Sequence, residues 1–441
     1  MADEVLLLGE VYVDFSLGEH DGPVKMRLGG LTHAARGLWA CDIPYSVAAV
    51  CPSYLIADAQ EYLMNHGCVE FSVIGVIEGA PNVVVIRDAR EVGNQGYEDL
   101  LRDRRRLGGD LWPAKIEEYF HVVIFPGTLC LASLAKHFNS EASITIDIAY
   151  GVDSLDDLIP ISGKISEIAI STSSELFSSL DTKNADELIS LFRPFSSRLL
   201  LKENRGGSRL FNLQNSSCEK VFADLRDSTV NSVGVGDVFT AVFAGYSRSI
   251  GDDAVWRGMQ AASRYSQTTD VDDFKRGVQR DLALDVGDVR SLGGVSLPWY
   301  DRPALDIYLA APDFSYVDRH EVEIVVEALK YHNFVVRRPV VENGEAKLGT
   351  PPKELVKFYR KDYDLLKDCS LVFAIPLQRD PGALVEIGIA IELGIPVVTY
   401  DPRSEANNTM VVCGSYCYSS SLDSCINATF ECLSKKLMRS L

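Results

Sequence analysis

The acidic residues of one C-terminal segment have the types and spacing of a catalytic site. Glu386 lies in the otherwise apolar, glycine-containing stretch Val385–Ile389, where a solvent-facing carboxylate is poorly explained. Asp380 lies in a Pro-Gly turn before it, and Asp362 belongs to an earlier Lys-Asp-Tyr-Asp run. Clustered carboxylates can divide labour, because one stays ionised as a nucleophile while another keeps its proton as an acid. In retaining glycoside chemistry the first attacks the anomeric carbon and the second helps the leaving group depart.

A structural role is the alternative for each acid. We expect Glu386 in the first turn of a helix that runs to Leu393, where the helix dipole would stabilise a carboxylate without any catalytic role. Asp362 has the pattern of a solvated helix residue when it is considered alone.

A glycine-rich turn is the second candidate site. Gly234, Gly236 and Asp237 directly precede the apolar, helix-like stretch Val238–Ala244. Glycines at a helix N-terminus present backbone N–H groups and the positive end of the dipole, which suit an anion. Asp237 could accept a proton from a hydroxyl group, or it could only cap the helix.

The elements around these residues follow an alternating pattern. Val5–Leu8, Ile144–Ile146 and Leu199–Leu201 are short apolar runs that predict buried strands, and Ala185–Phe192 predicts an intervening helix. This alternation indicates an α/β fold with a largely parallel sheet. Such sheets bind ligands at the carboxyl ends of their strands, so the turn after the predicted strand Leu371–Ile375 is a favourable place for a site.

The length of the chain indicates more than one domain. Its 441 residues exceed what one hydrophobic core usually accommodates. The stretch 293–303 is rich in Gly and Pro, which predicts a linker, and a new strand, Ile307–Ala310, follows it. We therefore predict two domains, residues 1–300 and residues 304–441.

Composition restricts the partners. Hydrophobic residues make up 46% and charged residues 24% of the chain, as in globular proteins, and the formal net charge is −19. Because such a surface repels phosphate backbones and anionic lipids, we expect neither a nucleic-acid polymer nor a membrane as partner. The N-terminus has no signal-peptide pattern, and the ten cysteines are scattered, so we predict reduced thiols in a cytoplasmic protein.

Four motifs between residues 305 and 437 resemble, in the same order, those of the nucleoside 2-deoxyribosyltransferase family. They are IYLAAP at Ile307–Pro312, Asp362 followed by SLVFA at Ser370–Ala374, DPGALVEIG at Asp380–Gly388, and NTM at Asn408–Met410. The resemblance implies a flavodoxin-like domain with a doubly wound parallel sheet. It also implies transfer of 2-deoxyribose between nucleobases through a covalent deoxyribosyl intermediate, with no cofactor.

The family roles transfer to the matching residues. Glu386 would be the nucleophile, and Asp362 would bind the base and protonate it as it leaves. Tyr308 would orient Glu386 and crowd the 2′ position, while Asp380 would bind the sugar hydroxyls. Asn408 would reach the sugar in a neighbouring subunit, which implies a homo-oligomer that is at least a dimer.

The residue at position 380 distinguishes two classes of substrate. A related class that cleaves nucleoside 5′-monophosphates resembles this sequence but has a small hydroxyl residue where Asp380 stands. A carboxylate there would repel a phosphate, so Asp380, with Gly382 in the same substrate-binding turn, favours nucleosides. Water could replace the second base as acceptor, so transferase and hydrolase both remain open.

Residues 1–300 resemble the PfkB, or ribokinase-like, family of sugar and nucleoside kinases. Asn231–Phe239 is similar to the family motif D-T-x-G-A-G-D-x-F. The resemblance implies a ribokinase-like α/β domain that uses ATP and Mg²⁺. Asp237 would deprotonate the acceptor hydroxyl, and Gly234 and Gly236 would form the anion hole for the transferring phosphate.

Other motifs of that family supply binding residues. Asp14 would hold substrate hydroxyls, and Gly29 and Gly30 would let the sugar approach the backbone. Glu175, in the stretch Thr172–Glu175, would order magnesium through water.

Four residues depart from the kinase pattern, and residues 44–56 lack the usual G-x-D. Ala34 stands where an Asn usually follows the glycine pair. Asn231 replaces an Asp, Thr172 replaces an Asn, and Asn204 replaces a Gly. A second hypothesis is therefore a domain that binds a ligand as a sensor, or mediates dimerisation, without catalysis. If both parts are enzymes, their fusion predicts a role in nucleoside salvage.

Overall fold

The computed structural model describes residues 4–17, 25–108, 115–215, 217–225, 227, 229–347 and 349–440. The chain divides into two compact units. Unit 1 consists of Met1–Glu91 and Gln95–Ser296, and unit 2 consists of Val92–Asn94 and Leu297–Leu441. Both units alternate strands and helices, which confirms the predicted α/β class.

Unit 1 contains a large mixed sheet with helices packed against it. Its strands are β1 (Val5–Ser16), β2 (Lys25–Gly30), β3 (Tyr45–Pro52), β4 (Cys68–Glu78), β5 (Val83–Ile86), β6 (Glu98–Asp99), β7 (Arg106–Gly108), β8 (His121–Ile124), β9 (Ser143–Asp147), β10 (Ile165–Ser171), β11 (Arg198–Lys202), β12 (Ser208–Asn212) and β13 (Cys218–Val221).

The helices of unit 1 are α1 (Leu31–Ala40), α2 (Ile56–Asn65), α3 (Leu131–Leu134), α4 (Glu175–Ser179), α5 (Ala185–Phe192), α6 (Val235–Ile250), α7 (Ala254–Gln267), α8 (Val271–Leu282) and α9 (Val286–Ser291). Short 3-10 helices cover Ser53–Leu55, Arg102–Arg104, Ile116–Glu118, Leu155–Lys164, Asn204–Gly206 and Gly251–Asp253.

The strand order of the large sheet is β13-β12-β11-β10-β9-β8-β1-β3-β4-β7. From β11 to β4 neighbouring strands run parallel, and antiparallel strands flank them at both edges. Most residues of β1, β3, β8, β9, β10 and β11 are buried, and α1 and α6 pack together over one of the cores. The carboxyl half of β1 leaves the large sheet and pairs with β2 and β5, and this half carries Asp14.

Helix α6 begins earlier than its apolar pattern indicated. We expected the helix from Val238, but it begins at Val235, so Gly236 and Asp237 lie in its first turn rather than before it. Gly234 is the N-cap and has a φ of 79°, a left-handed conformation that glycine adopts without strain.

Unit 2 contains one parallel sheet. Its strands are β14 (Ile307–Ala310), β15 (Val336–Arg337), β16 (Leu371–Ala374), β17 (Val397–Tyr400) and β18 (Cys417–Ser419). Its helices are α10 (His320–Tyr331), α11 (Pro339–Asn343), α12 (Pro352–Asp368), α13 (Pro381–Glu392), α14 (Thr409–Gly414) and α15 (Leu422–Ser440), with 3-10 helices at Trp299–Ala304 and Leu377–Arg379.

The strand order in unit 2 is β15-β14-β16-β17-β18, with every pair parallel. In chain order this is 2-1-3-4-5, the order of flavodoxin-like doubly wound sheets. The predicted fold of the C-terminal part is therefore confirmed. Among the helices that the structure describes, none is both long and apolar enough to cross a lipid bilayer.

One local expectation in unit 2 was wrong. Glu386 does not lie in the first turn of its helix, because α13 begins at Pro381 and places Glu386 in the second turn. The dipole effect is concentrated in the first turn, so it is a weak explanation for an acid at this position. The boundary between the units, at Ser296 and Leu297, falls within the stretch 293–303 that was predicted as a linker, and Trp299–Ala304 forms a 3-10 helix.

A buried arginine explains that order. Arg302 is fully buried, and its guanidinium donates to the carbonyls of Leu297, at 3.0 Å, and His332, at 3.2 Å. The same group lies over the rings of Trp299 and Phe430, at 5.1 and 4.9 Å from their centroids. The segment that follows residue 297 therefore packs as part of unit 2.

Candidate active site

A hydrogen bond between Tyr308 and Glu386 is the centre of the candidate site in unit 2. Tyr308 belongs to the fully buried strand β14, and its hydroxyl donates to Glu386 Oε1 at 2.6 Å. Glu386 is half-buried on α13, which follows the carboxyl end of β16. The apolar strand thus fixes the tyrosine, and the tyrosine fixes the carboxylate.

The surroundings of Glu386 favour its protonated form. Burial raises the pKa of Glu386 to about 8, and the negative charges of Asp362 and Asp380 contribute in the same direction. The hydrogen bond from Tyr308 acts against this shift because it stabilises the ionised carboxylate. The three predicted acids are therefore close enough to interact, and the pKa of Glu386 lies above neutral pH.

Asp362 lies within α12, where Asn343 from the end of α11 binds it. The Asn343 side-chain amide donates to Asp362 Oδ1 at 2.8 Å. Burial raises the pKa of Asp362, while the bond from Asn343 lowers it. A half-buried carboxyl with a raised pKa can hold a proton for a leaving group. The sequence analysis did not single out Asn343, because nothing in its local pattern distinguishes it from a helix-terminal asparagine.

Asp380 is the N-cap of α13. Its Oδ2 accepts a hydrogen bond from the backbone N–H of Ala383 at 2.7 Å. A Cβ atom at Gly382 would lie 3.0 Å from this same oxygen, so a residue without a side chain suits the turn. Asp380 thus combines a capping bond with a charge that reaches Glu386.

Asn408 is exposed. Its side chain caps α14 by accepting a hydrogen bond from the Met410 N–H at 2.9 Å. The hydrogen bonds of the described residues do not connect Asn408 to Glu386.

In unit 1 the predicted substrate residue Asp14 is buried in an ion-paired cluster. Its Oδ2 accepts from Arg27 Nε at 3.2 Å and from His33 Nε2 at 2.9 Å. A Cβ atom at Gly29 would lie 2.1 Å from Asp14 Oδ1, and one at Gly30 would lie 2.3 Å from the Glu10 carbonyl. A side chain at either glycine would therefore clash with neighbouring protein atoms.

The protonation of His33 follows from its partners. A carboxylate only accepts hydrogen bonds, so Nε2 carries the proton that is donated to Asp14. Burial lowers the pKa of His33 to about 4, so the ring is neutral and Nδ1 accepts from the Tyr265 hydroxyl at 2.7 Å. Arg36 Nη1 in turn donates to that hydroxyl at 2.7 Å. The histidine is thus a fully bonded link in a buried network.

Asp237 faces the same region from the first turn of α6. Burial raises its pKa to about 8, and the charges of Asp147 and Asp14 add to this while Lys202 opposes it. A Cβ atom at Gly234 would lie 2.2 Å from the His33 ring. Asp237, Gly234, Gly236, Asp14, Gly29 and Gly30 therefore belong to one region of unit 1.

Lys202 is a residue of this region that the sequence analysis missed. Its Nζ lies 2.5 Å from Asp147 Oδ2, 3.3 Å from Thr240 Oγ1 and 3.4 Å from the Gly236 carbonyl. Lys202 and Asp147 end the buried strands β11 and β9, where a parallel sheet binds ligands. The sequence does mark Lys202 in one way, since it is a charged residue directly after the apolar run Leu199–Leu201.

Glu175 is exposed at the first position of α4, and no described hydrogen bond joins it to Asp237. Within the described ranges, no group of three or more His, Cys, Asp or Glu residues is arranged to hold a metal ion. Among the same residues, Thr172 Oγ1 and Asn204 Nδ2 are buried without a hydrogen-bond partner. These orphaned polar atoms follow β10 and β11, and they fit the polar surroundings that a nucleotide needs.

Residues 307–422 match the family model described as nucleoside 2-deoxyribosyltransferase. This match confirms the resemblance that the C-terminal motifs predicted. A comparison with curated proteins found no match.

Unit 1 is similar to solved ribokinases, the family that its motifs resemble. Ribokinase from Arabidopsis thaliana complexed with ribose and ATP is 16% identical, with 65% of this chain and 100% of that chain covered and a TM-score of 0.47. Ribokinase from Giardia lamblia is 15% identical, with coverages of 64% and 99% and a TM-score of 0.48. A Methanocaldococcus jannaschii nucleoside kinase is 12% identical, with coverages of 63% and 98% and a TM-score of 0.44.

Proposed function

We propose that unit 2 transfers 2-deoxyribose between nucleobases, with Glu386 as the nucleophile. The observation that carries this proposal is the bond from Tyr308 to Glu386, beside two further carboxylates whose charges reach Glu386. A half-buried carboxylate held in one orientation suits attack on an anomeric carbon, because the oxocarbenium-like transition state is cationic.

The reaction has two steps. Ionised Glu386 attacks C1′, the C1′–N bond breaks, and its electron pair goes to the departing base, which takes a proton from Asp362. This leaves a deoxyribosyl ester on Glu386. A second base then attacks C1′, gives a proton to Asp362 and releases the carboxylate. If water is the acceptor instead, the products are free 2-deoxyribose and base, and the protein is an N-glycoside hydrolase.

The substrate class follows from Asp380. Its charge raises the pKa of Glu386, so the pocket already holds an excess of negative charge. A 5′-phosphate would add to that repulsion, whereas neutral sugar hydroxyls can donate hydrogen bonds to a carboxylate. We therefore propose nucleosides and nucleobases as the small-molecule partners.

The proposed assembly is a homo-oligomer. Asn408 and Met410 are exposed, and 78% of the Met410 side chain is accessible. Because Asn408 and Met410 are exposed at the start of α14, they are available for contact with another subunit. In such an oligomer Asn408 would complete the sugar site of the neighbouring subunit.

Chromatography of a 2′-deoxynucleoside panel, incubated with a different free base, tests the proposal. The wild type should form a new deoxynucleoside, and Glu386→Ala should not. Glu392→Ala is the matched control, since Glu392 is an exposed acid on the same helix. Free base without a new nucleoside would establish the hydrolase. Equal product from wild type and Glu386→Ala would overturn the role of Glu386.

A second function is proposed for unit 1, namely phosphoryl transfer from Mg²⁺-ATP to a hydroxyl. It is favoured by the raised pKa of Asp237, which suits a base near neutral pH, at a helix N-terminus with Gly234 and Gly236. Thr172, Asn204 and Lys202 would contact the nucleotide, and Glu175 would hold magnesium through water. Together the two units would serve nucleoside salvage in the cytoplasm. A unit that binds ligand without catalysis, as a sensor or in dimerisation, is the alternative.

A further inference from the structure

Two cysteines of unit 2 lie in contact where its last strand meets its last helix, and neither has a role in the chemistry above. Cys417 is the first residue of β18, and Cys425 lies in the first turn of α15, which begins at Leu422. A hydrogen bond joins the two thiols. Cys417 is half-buried, whereas Cys425 is fully buried. One sulfur of the pair is therefore partly accessible, and the other is shielded.

The pattern of the strand directs the Cys417 side chain toward α15. Its neighbour Tyr418 packs against a core cluster whose helical members, among them Val411, come from α12, α13 and α14. Successive side chains of a strand point to opposite faces of the sheet. Cys417 therefore points to the face opposite that cluster.

The position of Cys425 completes the geometry. Its Sγ atom lies 3.6 Å from the carbonyl oxygen of Thr399 and 3.9 Å from that of Ser419. Thr399 belongs to β17, and Ser419 follows Cys417 by two residues on β18, so their side chains share one face of the sheet. The start of α15 thus holds the Cys425 thiol against the strand that carries Cys417.

The two thiols differ in reactivity. The hydrogen bond from Cys425 lowers the pKa of Cys417, while burial and the charge of Glu431 act against this shift. The same hydrogen bond raises the pKa of Cys425, and burial adds to it. Because the thiolate is the nucleophilic form, Cys417 is suited to attack first, and Cys425 is suited to attack second.

We propose that Cys417 and Cys425 are a reversible disulfide site that reacts with a small disulfide such as oxidised glutathione. The Cys417 thiolate attacks one sulfur of the reagent, whose S–S bond breaks, and one glutathione leaves as a thiolate. Cys425 then gives up its proton and attacks Cys417 Sγ, which releases the second glutathione. Two cysteine thiols are oxidised to one disulfide, and one glutathione disulfide is reduced to two thiols. The site is independent of the functions proposed above for the two units.

The surroundings favour thiol chemistry over metal binding. A structural zinc ion takes four ligands, and the pair supplies two. In the part of the chain that the structure describes, no three His, Cys, Asp or Glu side chains are grouped so that they could hold a metal ion. Two thiols in contact, one of them accessible, suit thiol–disulfide exchange.

Peptide mapping of the full chain tests the proposal. The reduced protein would be equilibrated with mixtures of reduced and oxidised glutathione, quenched with acid and alkylated. Because neither Lys nor Arg lies between Arg403 and Lys435, trypsin leaves several cysteines on one peptide, namely Cys413, Cys417, Cys425 and Cys432. Chymotrypsin cleaves after the tyrosines and the phenylalanine between them and separates all of these cysteines.

We expect a fragment with Cys417 linked to a fragment with Cys425. The linked fraction should increase with the share of oxidised glutathione and disappear when dithiothreitol is added. Absence of the linked fragments in every mixture, or an equal yield of a link between Cys417 and Cys413, would overturn the proposal. Protection of Cys417 from alkylation by equimolar Zn²⁺ would also overturn it, in favour of a metal site.

Serine variants test the order of attack. Cys417→Ser should abolish the link and leave the buried Cys425 unmodified. Cys425→Ser should retain glutathione on Cys417, because the thiol that displaces it is missing. Cys413→Ser is the matched control, since Cys413 is an exposed cysteine of the same segment, and this variant should keep the link. Glutathione on Cys425 in the first variant, at the level found on Cys417 in the second, would overturn the assigned order. None of these readouts depends on the activity of either unit.

Discussion

The phenol of Tyr308 and the carboxylate of Glu386 are joined by a 2.6 Å hydrogen bond that links the first strand of unit 2 to helix α13. Among the interactions that shift the pKa of Glu386, this bond is the one that favours the ionised form. Burial, Asp362 and Asp380 all favour the protonated form. The bond from Tyr308 therefore increases the ionised fraction of Glu386 at a given pH.

The first prediction concerns pH. Because the pKa of Glu386 is raised to about 8, most of it is protonated at neutral pH, and deoxyribosyl-enzyme formation should increase as pH rises toward 8. Tyr308→Phe removes the bond that lowers this pKa, so the rising limb should move to higher pH. The rate at pH 7 should fall roughly tenfold. Release of the base in a single turnover, measured from pH 5.5 to 9.5, tests both effects. A rising limb at the same pH in the wild type and in Tyr308→Phe would contradict the prediction.

The second prediction concerns Asp362. Asp362→Asn removes the acid that protonates the leaving base, so cleavage of ordinary deoxynucleosides should slow by about 10²–10⁴-fold. A 7-methylated purine deoxynucleoside carries a base that departs without that proton, and its cleavage should be much less affected. Comparing the two substrates by initial rates separates acid catalysis from binding. Equal losses for both would assign Asp362 to base binding only.

The third prediction concerns Asp380 and its capping bond. Serine caps helices about as well as aspartate, so Asp380→Ser should leave the thermal unfolding of unit 2 nearly unchanged, whereas Asp380→Ala should cost about 1 kcal/mol. Both variants should lose activity on nucleosides. The serine variant should gain relative activity on 5′-monophosphates, since the repelling charge is gone. An unaltered nucleoside-to-nucleotide preference would show that Asp380 does not select the substrate.

The fourth prediction concerns Asp237. Asp237→Asn should abolish nucleoside- or sugar-dependent ATP consumption, because an amide cannot accept the hydroxyl proton. In the wild type this activity should increase with pH toward 8, since the pKa of Asp237 is raised to about 8 and its ionised form is the base. A coupled ADP assay measures the rate, and the deoxyribosyl transfer of unit 2 is the control that should remain intact. Full ATP consumption by the variant would exclude Asp237 as the base.

The fifth prediction concerns the buried network of unit 1. Tyr265→Phe deletes the hydroxyl that bonds both His33 and Arg36, which leaves two buried polar groups without that partner. The free energy of unfolding of unit 1 should fall by about 1–3 kcal/mol for each group left unsatisfied. Denaturant unfolding, followed by a probe in unit 1, provides the measurement. A change below about 0.5 kcal/mol would mean that water replaces the hydroxyl.

The sequence predicted the fold class because buried parallel strands are continuous apolar runs, and Val5–Leu8 and Leu371–Ile375 both mark strands of the structure. Helix starts were less accurate. Pro381 and Gly234 break the apolar pattern, yet proline suits the first helical position and glycine can serve as an N-cap, so both helices begin before their periodicity does.

The partners of the site residues were the least predictable. Asn343 bonds to Asp362, and Arg27 bonds to Asp14. No sequence pattern marks either pair, because the partners lie more than ten residues apart along the chain. Only the folded chain brings such pairs together. Asn408 illustrates a further reason, because its proposed contact with another subunit would not be visible within one chain.

Arg302 determines where the two units can be separated. It precedes the first strand of unit 2, yet its guanidinium is sealed among Leu297, Trp299, His332 and Phe430. A fragment that begins after residue 304 would lack Arg302 and would have a cavity where its buried side chain packs. A fragment that begins before residue 297 would keep it. The boundary between the two units accordingly lies upstream of the arginine, at Ser296 and Leu297.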